Sequence, residues 1–288
     1  MKRSLHVVLA AILLMLLVAV PGSAQTDTAK APVYGWKHAV VGTLTATQVA
    51  FTDWAQGGEN ALAWGLGLDG KSTNVQEHTN WDNSYKFGFG QTRLGDQGIR
   101  KTDDRIDLES MLTYKLGGQF NPYAAATLKT QFAAGYKYNT TGTGTQLSQF
   151  FDPAYLTQSA GVVYQPAAEF KTRFGVGLRE IITSRFPGYA DDPETAEIEK
   201  TRINGGLESV SELTLKLDEQ VSFTSKLELF STFKHIDQVI MRSDNTLAAK
   251  VSKYITVMLN LQLLNEREIS PRTQVKETLA MGLSYTFL

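Results

Sequence analysis

From about Val40 to its end the chain repeats one device: long stretches in which apolar residues alternate with polar or very small ones. Between Tyr123 and Tyr138, Leu128, Phe132, Ala134, Tyr136 and Tyr138 share one parity, and Lys129, Gln131, Gly135 and Lys137 the other. Phe170, Phe174, Val176 and Leu178 oppose Lys171, Arg173, Gly175, Gly177 and Arg179 in the same way, and Leu279, Met281, Leu283, Tyr285 and Phe287 oppose Thr278, Ala280, Gly282 and Ser284. A period of two is the signature of a β-strand, whose successive side chains point to opposite faces. The pattern predicts twelve strands, near 40–53, 60–71, 79–90, 105–115, 123–138, 155–165, 169–184, 200–217, 220–234, 245–252, 254–264 and 273–287. The apolar parity of the first shifts between Leu44 and Val49, which predicts a bulge there.

A soluble sandwich also alternates, so the connections must decide. With the first strand running outward, one set of connections (54–59, 91–104, 139–154, 185–199, 235–244, 265–272) is long and rich in glycine and acids. The other (72–78, 116–122, 166–168, 218–219 and a turn at Lys253) is mostly short. Short turns on one side and long loops on the other characterise barrels that cross the outer membrane, where an even strand number returns both ends to the periplasm. Trp81, Tyr114, Tyr123, Tyr164, Phe170, Phe223, Tyr254, Tyr285 and Phe287 gather near the short-turn ends, as rings do at a bilayer–water boundary. The expected fold is all-β: a transmembrane antiparallel up-and-down β-barrel of about twelve strands.

The first residues supply the address. Lys2 and Arg3 precede an apolar run from Leu5 to Val20, and Pro21–Ala24 are small, so residues 1–24 read as a signal peptide cleaved near Ala24. Residues 25–38 then form a short periplasmic segment and 39–288 the barrel, in the outer membrane of a Gram-negative cell. With no cysteine, disulfides and thiolate chemistry are excluded, and a net charge of −1 gives no footprint for nucleic acid. Expected partners are outer-membrane lipid and lipopolysaccharide, the barrel-assembly machinery, periplasmic chaperones and small solutes.

If the parity holds, charged residues line the lumen, with basic ones in excess. Lys129, Lys171, Arg173, Arg179, Arg202, Glu109 and Glu208 are the pore-lining candidates. A cationic wall favours small anions; pairing of the same charges across the interior would instead plug it, and the sequence leaves both open. Catalytic and cofactor chemistry is not expected. His38, His78 and His235 have no serine in a His-x-Ser arrangement, and the Asp103-Asp104 and Asp191-Asp192 pairs lack the spacing of a calcium loop.

Phe51, Asp53, Trp54 and the run Gly57-Gly58-Glu59-Asn60-Ala61 resemble the opening of a family of outer-membrane barrels catalogued only as a domain of unknown function. Trp81-Asp82-Asn83, Lys101-Thr102-Asp103-Asp104, Lys129-Thr130-Gln131-Phe132, Pro153-Ala154-Tyr155-Leu156 and Lys253-Tyr254-Ile255 are similar to the same family. The resemblance implies a barrel and no established activity. In the first-turn motif (Trp54, Gly57, Gly58, Glu59, Asn60) the two glycines permit positive φ. The functional expectation is a passive diffusion pore for small, anion-leaning hydrophilic solutes. The alternatives are a closed structural or adhesive barrel acting through its loops, and an outer-membrane hydrolase.

Overall fold

The computed structural model describes residues 34–51, 58–139, 142–192, 195–267 and 269–286. The signal segment, Trp54, Gly57 and Phe287 lie outside the described residues. Fourteen strands are present among those described: β1 Gly35–Val49, β2 Ala61–Val75, β3 Thr79–Leu94, β4 Ile99–Tyr114, β5 Phe120–Thr130, β6 Gly135–Tyr138, β7 Gly144–Ser148, β8 Ala154–Tyr164, β9 Phe170–Ile182, β10 Thr201–Lys216, β11 Val221–Thr232, β12 Val239–Lys250, β13 Ile255–Asn265 and β14 Gln274–Thr286. Twelve of them form a closed antiparallel barrel in chain order, β5 pairing with β8 and β14 returning to β1, while β6 and β7 pair only with each other. The fold is thus a transmembrane up-and-down β-barrel. Closure is what allows strands to cross hydrocarbon, since backbone groups on an open edge find no water there.

The two ends differ as the connection lengths predicted. The turns 76–78, 115–119, 165–169, 217–220 and 251–254 are short. At the other end four of the six connections are longer, those between β1 and β2, β5 and β8, β9 and β10, and β13 and β14, while 95–98 and 233–238 are short where long loops were expected. That end is external by the same rule.

Outward positions carry the grease. Phe174, Val176 and Leu178 on β9, Ile203 on β10 and Leu279, Met281 and Leu283 on β14 are 50–74% exposed. Inward neighbours on β9 are Lys171, Arg173, Gly175, Gly177 and Arg179, and Arg173 and Arg179 are buried. The rings at the turn end follow: Trp81, Tyr114, Tyr254 and Tyr285 are outward and exposed, and Tyr164 stacks on Phe120 at 4.7 Å.

Several expectations are corrected. The segment 123–138 is not one strand. It stops at Thr130, and Tyr136, Lys137 and Tyr138 belong to the external hairpin β6–β7, so Lys137 does not face the lumen. The alternation continues through the break because the hairpin is also two-faced. The expected loop 91–104 is a tight connection at 95–98, placing Asp103 and Asp104 on β4. Gly95 and Gly98 there adopt φ of +50° and +77°, a turn conformation that costs glycine little. β12 begins at Val239 instead of near 245. β1 has no bulge: fifteen successive residues pair with β2 from Gly35↔Val75 to Val49↔Ala61, and the irregularity lies on β3 at Gly90/Gln91. Tyr123 is not a girdle residue; its ring is 5% exposed, inside the barrel.

The β8–β9 contact is unusually close. Gly161 pairs with Gly175, and a Cβ on Gly175 would run into the Ala160 carbonyl and the Tyr123 hydroxyl. Gly175→Val is therefore expected to abolish the folded, heat-modifiable form, with Gly118→Val, in an open turn, as the silent control. Equal gel mobility shifts for the two variants would contradict this packing.

Candidate functional site

Inside the barrel the charged side chains of β3–β5 and β8–β12 reach across to one another. At the centre, Glu109 on β4 receives Arg173 Nη1 from β9 at 2.6 Å and Lys226 Nζ from β11 at 2.5 Å. Arg173 also meets Glu208 of β10 at 3.5 Å, stands over the Tyr123 ring at 5.6 Å and lies 3.6 Å from Met111 Sδ. Lys226 contacts Glu212 at 3.7 Å and Glu228 at 3.5 Å, and Lys129 of β5 bonds the same Glu228 from across the lumen. Lys171 pairs with its direct cross-strand neighbour Glu212 at 3.1 Å. Toward the turn end the network rests on Met111, Tyr123, Ala125 and Val163, a small apolar cluster.

A second layer lies toward the loop end. Arg105 on β4 bonds Asp107 at 2.7 Å and Asp244 of β12, on the opposite wall, at 2.9 Å. Lys86 approaches Asp244 at 3.5 Å, and Lys276 of β14 meets Asp103. Between the layers is a cavity of about 400 Å³, whose lining includes Lys86, Arg105, Asp107, Arg242, Asp244 and Lys276. Lys86 and Lys276 are 42% and 40% exposed, so this level is wet.

The remaining wall is different. Thr43 and Thr45 of β1, Gly65 and Gly67 of β2, and Gly282 and Ser284 of β14 share the inward face there. None is long enough to join the bridge. These short residues form a patch bounded by the inward Asp69 and Lys71 of β2 and Lys276 of β14.

The seven pore-lining candidates, Lys129, Lys171, Arg173, Arg179, Arg202, Glu109 and Glu208, all hold inward positions in the strand register, and all but Arg202 enter the charge network. Arg202 pairs across the strands with the buried Ile181 and turns its side chain to the loop. Its guanidinium bonds the Ala190 carbonyl at 2.9 Å and the Asp191 carbonyl, pinning the 183–200 connection at the external mouth. Arg242, Asp244 and Glu266 are the members that sequence reasoning missed. Glu266 is fully buried and holds Arg179 at 2.7 Å and Arg242 at 3.5 Å, with Tyr155 facing both guanidinium groups. All three sat in stretches read as surface loops. The earlier start of β12 was visible only in the alternation Val239–Met241–Ser243 against Arg242 and Asp244.

At the mouth, the 183–200 connection is tied down by Arg185 N–H donating to Asp152 at 2.6 Å. Burial, with Asp152 nearby, raises the Tyr189 hydroxyl pKa. The Thr195 hydroxyl donates to Glu199 at 2.5 Å and lowers that carboxyl's pKa. Of the first-turn motif, Gly58 has φ +134° and lies against the Phe51 ring, and Asn60 Oδ1 accepts from Phe51 N–H at 2.7 Å, closing the loop base. Glu59 lies over Gly95 of the neighbouring hairpin.

On the outer wall near the turn end, His38 Nδ1 sits 2.8 Å from Ser72 Oγ, which is 3.2 Å from the Tyr85 hydroxyl; the imidazole stacks on Trp36. No carboxylate meets His38 among the described residues, and neighbouring backbone N–H groups are engaged in the sheet. No group of three or more metal-ligating side chains occurs among the described residues.

Residues 46–136 match the model of a family described as "Protein of unknown function (DUF3078)". The matched stretch includes Phe51–Ala61, Trp81–Asn83, Lys101–Asp104 and Lys129–Phe132, segments on which the family resemblance was expected. No curated protein matches the chain. Among solved structures, the chain is similar to an outer membrane channel from Pseudomonas putida F1 (13% identity, 92% of this chain and 98% of that one, TM-score 0.39). It is also similar to the translocator domain of the autotransporter NalP from Neisseria meningitidis (11%, 96% and 96%, 0.38) and to the NanC porin (10%, 85% and 97%, 0.36). Identities and scores at this level carry nothing about what passes through this barrel.

Removing one partner of a buried charge network strands the others, at a cost of roughly 3–5 kcal/mol. Arg173→Met is expected to lower the stability of the folded barrel by about that much, and Arg173→Met with Glu109→Gln by less than the sum of the single changes, since they share one interaction. Urea unfolding in detergent micelles, followed by tryptophan fluorescence, reads both. Strict additivity would remove the pair from the network.

Proposed function

We propose that this chain is an outer-membrane channel for small hydrophilic solutes, leaning toward anions, and not an enzyme. The observation that carries the reading is a wet, charged vestibule of about 400 Å³ above a bridge of long side chains, beside short inward residues of β1, β2 and β14. Solutes would enter from the loop end, shed part of their hydration against Lys86, Arg105 and Lys276, and pass along β1, β2 and β14. Fixed charge at a constriction selects by sign more strongly than charge in open water, because low-dielectric walls focus the field. Around the cavity six basic and six acidic side chains balance, and the lean toward anions rests on the inward Lys71, Lys171, Arg173, Arg179 and Arg202 along the rest of the lumen. The outward rings and apolar faces fit a bilayer partner of lipid and lipopolysaccharide.

A sealed barrel acting through its loops is the second reading. It is favoured by the direct ion pairs across the lumen and by the exposed external rings Tyr136, Tyr138, Phe150 and Phe151.

Planar-bilayer recording separates the two. Folded protein in a potassium chloride gradient is expected to give small ohmic steps with a reversal potential on the anion side. Lys86→Glu combined with Lys276→Glu should move that potential toward cation preference. Silence from heat-modifiable protein at high lipid occupancy would overturn the channel in favour of the sealed barrel.

A further inference from the structure

The barrel is not closed equally all the way round. β1 pairs with β2 over fifteen residues, and β13 with β14 over ten, but β1 and β14 share only five pairs, from Val41↔Thr286 to Thr45↔Gly282. Beyond Thr45 and Gly282 the ladder ends. Ala46–Val49 of β1 and Gln274–Met281 of β14 continue toward the loop end, still paired with β2 and β13 on their far sides. Toward each other they have no partner among the described residues. Opposite Ala46–Val49 the unpaired stretch of β14 is Thr278–Met281, four residues or about 13 Å of strand.

Backbone N–H and C=O groups left open to hydrocarbon are costly, and irregular backbone at membrane depth persists only where it lines protein or water. The slot must therefore be wetted, and its only source of water at that depth is the lumen. Its surroundings suit two kinds of matter at once. Outside, Leu279 and Met281 are 74% and 67% exposed, and Leu62 is exposed beside them. Inside, the slot opens past small residues, Thr45, Thr278, Ala280 and Gly282. Lys276, one strand position further along the inward face of β14, lines the charged cavity together with Lys86.

We infer that the β1–β14 slot is a lateral portal that admits an amphiphile from the external leaflet: its acyl tail lies against Leu279 and Met281 while its anionic phosphate head reaches Lys276 and Lys86. The portal needs only the slot and the cavity, so it stands whether or not the lumen conducts ions.

The chain's lack of cysteine allows a direct test in full-length, membrane-extracted protein. If the ladder continued, Thr47 would face Ala280; Thr47 does face Ala63 on β2. Thr47→Cys with Ala63→Cys is expected to form a disulfide readily under mild oxidation, and Thr47→Cys with Ala280→Cys at least tenfold more slowly. Native mass spectrometry with lysophosphatidylglycerol should show a saturable single adduct on the parent protein. Bridging the Thr47/Ala280 cysteines with a bis-maleimide, or filling the slot by Ala280→Trp, should reduce that adduct tenfold or more. Equal oxidation of the two pairs would show a zipped seam and overturn the portal, as would adduct formation indifferent to both closures. A parent protein that shows the saturable adduct but no conductance would count against the channel and not the portal.

Discussion

The constraint on which everything else rests is that a backbone in hydrocarbon must satisfy its own hydrogen bonds. A helix does so locally; strands do so only by closing on themselves. That requirement turns a set of two-faced segments into a barrel of twelve, and the two faces then divide the chemistry. Outward positions take Phe, Val, Leu and Ile because they meet lipid. Inward positions are released from that demand and collect Lys, Arg, Asp and Glu, which enclosure obliges to pair with one another. The charge network is thus a consequence of closure as much as a functional device. Where the ladder stops short, at the β1–β14 seam, the same constraint requires water.

The interior combines two ways of filling a barrel of intermediate size. Narrower barrels are packed solid with side chains, and much wider ones hold open water. Here Glu109, Arg173, Lys226, Glu228 and Lys129 extend over a base of Met111 and Tyr123, while β14, β1 and β2 carry a patch of Thr, Gly and Ser bounded by Lys276 and Asp69. Such an arrangement narrows the lumen without needing a separate plug domain, and it places strong opposite charges close together where a passing solute would feel them.

Much of this was legible in the residues. Each of the twelve barrel strands was predicted near its place, because period two survives even where individual residues depart from it, and the proposed pore-lining residues hold inward positions in the register. The failures share a physical origin. Alternation does not report where a strand leaves the barrel, so Tyr136 and Tyr138 were read as part of β5 although they form an external hairpin. Polar, acidic stretches read as loops, so Asp103 on β4 and Arg242 and Asp244 on β12 went unassigned; inside a wet barrel, polarity is no mark of a loop. Glu266 could not be found by parity at all, because it folds in from beyond a strand end to meet Arg179 and Arg242. Likewise the pairing of His38 with Ser72, thirty-four positions apart, is set by the β1–β2 register and leaves no local trace.

The central claim is that alternate residues of each strand meet lipid and water. It is tested most directly by single cysteines placed in turn from Val257 to Gln262 on β13, a stretch without glycine, spin-labelled, in protein reconstituted in bilayers. Labels at 257, 259 and 261 are expected to collide preferentially with dissolved oxygen, and labels at 258, 260 and 262 much less so. The accessibility should oscillate with a period of two. A flat profile, or oxygen contact in phase with Met258 and Asn260, would contradict the barrel's inside-out division.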